Sequence, residues 1–147
     1  MPFRSRLESL RKLRRSAEHQ QELLLLEVNQ RIATLEFAIG EIQMAKKSIR
    51  NRPAYATKTL IAGSELHFDE SCIFALGTRE RLLKIQLAKE MRNREVRQQT
   101  FYQARREREA VETLLNHQRE VYAREEARRQ QRGIDDLFLL QSRYHKR

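Results

Sequence analysis

The sequence of 147 residues has one cysteine, two prolines, four glycines and no tryptophan. A lone Cys72 excludes an internal disulfide and a multi-cysteine zinc site, and it fits a reducing compartment. So few glycines and prolines argue against a many-stranded sheet, which needs a turn every few residues. The apolar runs are short, as at Leu23–Leu26 and Leu137–Leu140. A membrane span needs about 20 apolar residues and a signal peptide about 7–15. The expectation is a soluble, cytoplasmic chain without a transmembrane segment. Hydrophobic residues make up 39% and charged residues 34%, a balance that suits long solvated helices better than a thick core.

What is abundant is positive charge, a net +10, so its distribution decides what it means. Residues 1–15 carry six bases and one acid, and residues 16–45 one base and five acids. Residues 46–58 carry five bases and no acid, residues 59–78 three acids and no base. From residue 79 onward 18 bases mix with 11 acids. Mixed signs at short spacing are what a solvated helix face uses, because Glu and Arg three or four residues apart pair weakly. The dense clusters Arg4–Arg15 and Lys46–Lys58 remain candidate contacts for an acidic partner.

Apolar residues recur at steps of three and four from Phe3 through Leu7, Leu10, Ala17, Leu24, Val28, Leu35, Ala38, Ile42 and Ala45 to Ile49. Arg14, Gln21 and Arg31 occupy the remaining positions of this coiled-coil seam. Leu13, Ile32 and Ile39 are expected to widen the buried stripe. Ser5 and Glu8 have capping-box spacing at the start, and Pro53 marks the exit. Gly40 need not break so long a helix. Helix one is therefore predicted over about residues 5–50, a rod of roughly 70 Å.

A second seam runs from Ile73 through Leu76, Glu80, Leu83, Leu87, Glu90, Arg94, Arg97, Phe101, Ala104, Arg108, Val111, Leu115, Gln118 and Tyr122 to Glu125. It is less apolar, with a polar gap from Glu90 to Arg97 where packing is expected to be loose. Helix two is predicted over about 72–131, with Gly77–Thr78 as a short break or an N-cap. Residues 51–70, with Pro53, Gly63, Ser64 and Asp69, read as a connector. Gly133 is expected to stop helix two, and Asp135 to cap a short tail over 134–145. That tail either folds back on the bundle or anchors a partner through Leu137–Leu140.

Neither stripe can be buried alone. The predicted fold is all-α: one domain over 1–147, an elongated antiparallel two-helix coiled coil (an α-helical hairpin) with a short C-terminal helical tail.

Chemistry is sparse. There is no glycine-lysine phosphate loop and no H-E-x-x-H, and His19, His67, His117 and His145 are far apart in sequence. His67, Asp69 and Cys72 read better as connector residues than as a metal or nucleophile cluster. Glu107, Glu109 and Glu112 read as a solvated face, since a two-helix rod offers no pocket to perturb them. No enzyme activity, cofactor, metal or small-molecule substrate is expected. Arg105, Arg106, Arg108, Arg128, Arg129 and Arg132 raise nucleic-acid binding. Glu107, Glu109, Glu125 and Glu126 interrupt those runs, which disfavours it.

The opening Phe3-x-x-x-Leu7-x-x-Leu10-x-x-Leu13-Arg14 and the Gln/Glu/Leu-rich helix after it resemble the flagellar export protein FliJ family. The Ala62-Gly63-Ser64 connector resembles the middle of that family. The stretch Arg124-Glu125-Glu126-Ala127-Arg128-Arg129-Gln130-Gln131, followed by Ile134-Asp135-Asp136, resembles its end. The resemblance implies a non-enzymatic stalk of the type III export ATPase, similar in shape to the central γ subunit of rotary ATPases. Such a stalk inserts into the ATPase hexamer, contacts the membrane export-gate protein and handles export chaperones, at the cytoplasmic side of the inner membrane at the flagellar base. By analogy with γ, Arg11, Arg14, Arg15, Arg124, Arg128 and Arg129 would contact the ring, and Phe68, Ile73, Phe74 and Leu76 the gate. The alternatives are the stalk of a virulence-type III secretion ATPase and a basic coiled coil that binds nucleic acid.

Overall fold

A computed structural model describes residue 3, residues 5–52 and residues 63–145. Among them are two long helices and no strand: α1 over Leu7–Arg50, 44 residues, and α2 over Gly63–Tyr144, 82 residues. The all-helical expectation holds.

Ser5 starts α1. Its Oγ accepts from the Leu7 amide at 3.2 Å and its carbonyl from the Glu8 amide at 3.2 Å, so two free donors of the first turn are satisfied. Glu8 does not reach back to complete the predicted capping box. Its carboxylate accepts instead from Arg119 of α2 at 2.7 Å. At the far end Lys47 and Arg50 lie in the last turn, where cations complement the helix dipole. The Asn51 amide donates to the Lys47 carbonyl at 3.0 Å. Pro53, the predicted stop, lies outside the described residues.

Helix two departs from its predicted bounds at both ends. It begins at Gly63, not near residue 72, so residues 63–70 of the expected connector are helical. Gly63 and Ser64 sit in the first turn, where weak helix formers cost little, and Asp69 is drawn in by Arg52, as described below. Gly77 lies inside the helix, and Thr78 Oγ1 donates to the Phe74 carbonyl at 3.1 Å, a mid-helix contact and not a cap. At the other end α2 passes through Gly133 to Tyr144. Gln131 Nε2 donates to Asp135 Oδ1 at 2.9 Å, so Asp135 braces the turn around Gly133 and caps no separate tail. A mid-helix glycine costs only about 1 kcal/mol, which the strong helix formers around it outweigh.

The chain divides into two compact units, one made of Met1–His19 with Tyr102–Arg147, the other of Gln20–Phe101. In the first, Val111 and Leu115 are buried. Partners run in opposite directions there: Ser5 with Gln118, Glu8 with Arg119, Arg14 with Glu107, Glu18 with Arg108. In the second, Val28, Ile32, Ile39 and Ile42 are buried, and Arg31–Glu90, Gln43–Glu80 and Arg52–Asp69 also run antiparallel. Ile32 and Ile39 widen the stripe as expected. Leu13 does not; it is 65% exposed, because its neighbour Arg14 turns toward α2 to meet Glu107 and the contact there is one seam wide.

Candidate functional site

In the unit containing the chain ends, arginines and carboxylates interlock across the helices. Arg14 donates to Glu107, whose other oxygen accepts from Gln103 at 3.3 Å. Arg15 Nε donates to Glu112 at 3.0 Å. Arg108 donates to Glu18 on α1 and, through Nη1, to Glu112 at 2.6 Å. Glu18, Arg108, Glu112 and Arg15 therefore form a chain of alternating charge that crosses between helices twice. The hydrogen bond from Arg15 holds the Glu112 carboxyl below its ordinary value, with Arg108 adding to it. The bond to Glu18 raises Arg108 above its own. Phe3 stacks on Tyr122, with ring centroids 5.4 Å apart and planes tilted by 54°.

This bears directly on the six arginines singled out in the sequence. Arg14 and Arg15 hold the two helices together. Arg11 is half-buried, its Nε without a hydrogen-bond partner. Arg124 is exposed and, among the described residues, pairs only with Glu120 of its own helix, at 3.9 Å. Arg128 and Arg129 are exposed and make no ion pair among the described residues. The two groups are also separated along α2. The partners of Arg14 and Arg15 are Glu107 and Glu112, and Arg124 lies a further twelve residues on, roughly 18 Å at the helical rise.

In the other unit two carboxylates of α2, Asp69 and Glu80, are buried. Glu80, 6% exposed, accepts from Lys46 and Gln43 of α1, the latter at 3.0 Å, and from Lys84 at 2.8 Å. The hydrogen bond from Lys46, then those from Lys84 and Gln43, bring its carboxyl down to about 2. Asp69, 5% exposed, accepts from Arg52 Nη1 at 2.8 Å. Two of the four described bases of the cluster at Lys46–Lys58 are thereby engaged within the chain, Lys46 by Glu80 and Arg52 by Asp69, with residues 53–58 outside the described set.

The four residues proposed for a second partner do not form one patch. Ile73 and Leu76 are half-buried on the face that carries Asp69 and Glu80. Phe68 and Phe74, 65% and 72% exposed, lie off that face and about 120° apart around α2, since six residues advance a helix by roughly 600°. Sequence reasoning missed Glu80, Lys46 and Glu18. The available signal was an acid or base within an otherwise apolar seam whose opposite number carries the other sign.

Among the described residues no group of three or more His, Cys, Asp or Glu is placed to hold a metal ion, and no helix is long and apolar enough to cross a membrane. Asp69 is engaged with Arg52, and the His67 carbonyl accepts from Ser71 Oγ at 2.8 Å.

Against known proteins, the model of the family described as flagellar FliJ protein matches residues 3–147. No curated protein and no solved structure matches the chain.

Proposed function

The chain belongs to the flagellar FliJ family, a family of non-catalytic components of flagellar protein export, and on that premise we propose that it is the stalk of the export ATPase. In this reading the unit holding both chain ends enters the hexameric ring, the helical segment near Phe68 and Phe74 meets the membrane export gate, and export chaperones are escorted in passing. The protein would work at the cytoplasmic side of the inner membrane at the flagellar base. The observation that carries the reading is a family match spanning nearly the whole chain, with residues 5–52 and 63–145 given almost entirely to two helices. The flagellar description favours this system over a virulence-type one. Nucleic-acid binding is disfavoured by acids that engage the arginines of α2, as Glu109 does Arg105 at 3.1 Å.

Electrostatic contact with a ring needs charge not already spent. Arg128 and Arg129, with Arg124, are the ring contacts; Arg14 and Arg15 support the hairpin that presents them, and Arg11 lies beside them. Capture of the export ATPase by the full chain tests this. Arg128→Glu with Arg129→Glu is expected to cut capture at least tenfold while helix content and melting stay unchanged. Undiminished capture by that double variant would overturn the assignment. For the gate, Phe68→Ala with Phe74→Ala is expected to weaken capture of the gate protein's soluble part and to leave ATPase capture intact.

A further inference from the structure

Past Tyr122 the second helix outruns the first. Tyr122 stacks on Phe3, which precedes α1, and from residue 127 to residue 145 every position of α2 and its last turn is exposed. An isolated helix of that length is marginal in water, because its few hydrogen bonds barely offset the ordering of the backbone. This one also leaves Ile134, Leu137, Phe138, Leu140 and Tyr144 between 52% and 81% exposed. At about 100° per residue these five lie within an arc of roughly 160°, an apolar stripe that also holds Gln141. Asp136 and Arg143, one heptad apart, border the Leu140 edge of it.

We propose that this stripe is covered by the same segment of a second copy, lying antiparallel. The stripe is self-complementary in one register. With Leu137 of each copy beside Leu140 of the other, Tyr144 of each falls over Gly133 of the other. Gly133 has nothing within 4 Å of where a Cβ would sit, so there is room for a ring. The same register leaves Asp136 of each copy within reach of Arg143 of the other, so two opposite-charge pairs form by symmetry. Ile134 and Phe138 close the far edge. Complete coverage of these five side chains would bury at most about 600 Å² per copy and about 1,200 Å² in all, the lower bound of a specific interface. The pair is therefore weak and exchangeable, and it does not depend on the ring assignment above.

Sedimentation equilibrium of the full chain, from about 1 to several hundred micromolar, tests the pairing. A monomer–dimer equilibrium is expected, abolished by Leu137→Glu. Asp136→Arg and Arg143→Asp are each expected to weaken it roughly tenfold, since two symmetric attractions become repulsions. The double variant D136R/R143D, which exchanges the charges, is expected to restore the original constant. Circular dichroism of every variant fixes that helix content is retained. A chain that stays monomeric throughout overturns the proposal. A dimer that survives Leu137→Glu overturns the interface, and a double variant as weak as the singles overturns the register.

Discussion

Lys46 of α1 donates to the buried carboxylate of Glu80 on α2, and Lys84 and Gln43 complete the set of donors around that one carboxylate. A lone carboxylate in an apolar seam would be costly. With three donors from two helices it instead ties α1 to α2 at one place, because a slip by one turn would strand both Glu80 and Lys46.

The first prediction follows from the depressed carboxyl. Folding holds Glu80 near 2 against an ordinary 4.5, so between those values the unfolded chain binds the extra proton. The stabilisation is complete above about pH 4.5 and is lost as pH falls toward 2. Thermal melts followed by circular dichroism are expected to show Glu80→Gln melting below the parent at pH 7, with the gap closing on acidification. A gap that does not change with pH would contradict this account.

The charge chain Glu18–Arg108–Glu112–Arg15 should behave as a unit. A double-mutant cycle of Glu18→Gln and Arg15→Gln, two residues that meet through Arg108 and Glu112, is expected to give a coupling near 0.5–1 kcal/mol in urea denaturation. Simple additivity would indicate independent surface pairs.

Leu115 is 1% exposed and Leu13 is 65% exposed, although both stand in apolar patterns. Leu115→Ala is expected to cost roughly 2–3 kcal/mol, the low end for buried leucine because a one-layer core can close around the gap. Leu13→Gln is expected to lie within about 0.5 kcal/mol of the parent. Chemical denaturation measures both.

Gly77 is helical, with open space where a Cβ would sit. Gly77→Ala is therefore expected to stabilise the helix by about 0.5–1 kcal/mol. The readout is amide exchange slowed a few-fold around residues 74–81. Faster exchange would show that the position needs glycine for another reason.

The periodicity of Val28, Ile32, Ile39 and Ile42 was legible because the burial of a helix face repeats every three or four residues whatever lies opposite. The same rule pointed to Val111 and Leu115. It failed at Leu13, where the choice between two neighbouring positions depends on which one finds a partner on the other helix. Gly77 and Gly133 read as stops because glycine is a weak helix former. Local propensity of about 1 kcal/mol does not end a helix whose flanking turns are strong. The six arginines looked equivalent as a list, yet Arg14 and Arg15 are spent on Glu107 and Glu112, whereas Arg128 and Arg129 make no ion pair among the described residues. That distinction requires knowing what lies across the seam.

By itself the sequence determined that few glycines and prolines and two three-four seams make two long helices, and that from residue 79 onward the bases are mixed with acids. Both follow from near-neighbour chemistry along a helix. Only the tertiary structure decided which charges neutralise one another, that Glu80 and Asp69 are buried, and that α2 continues bare beyond Glu126. Those outcomes depend on the register between residues up to 119 positions apart, as for Phe3 and Tyr122, and no local pattern encodes such a register.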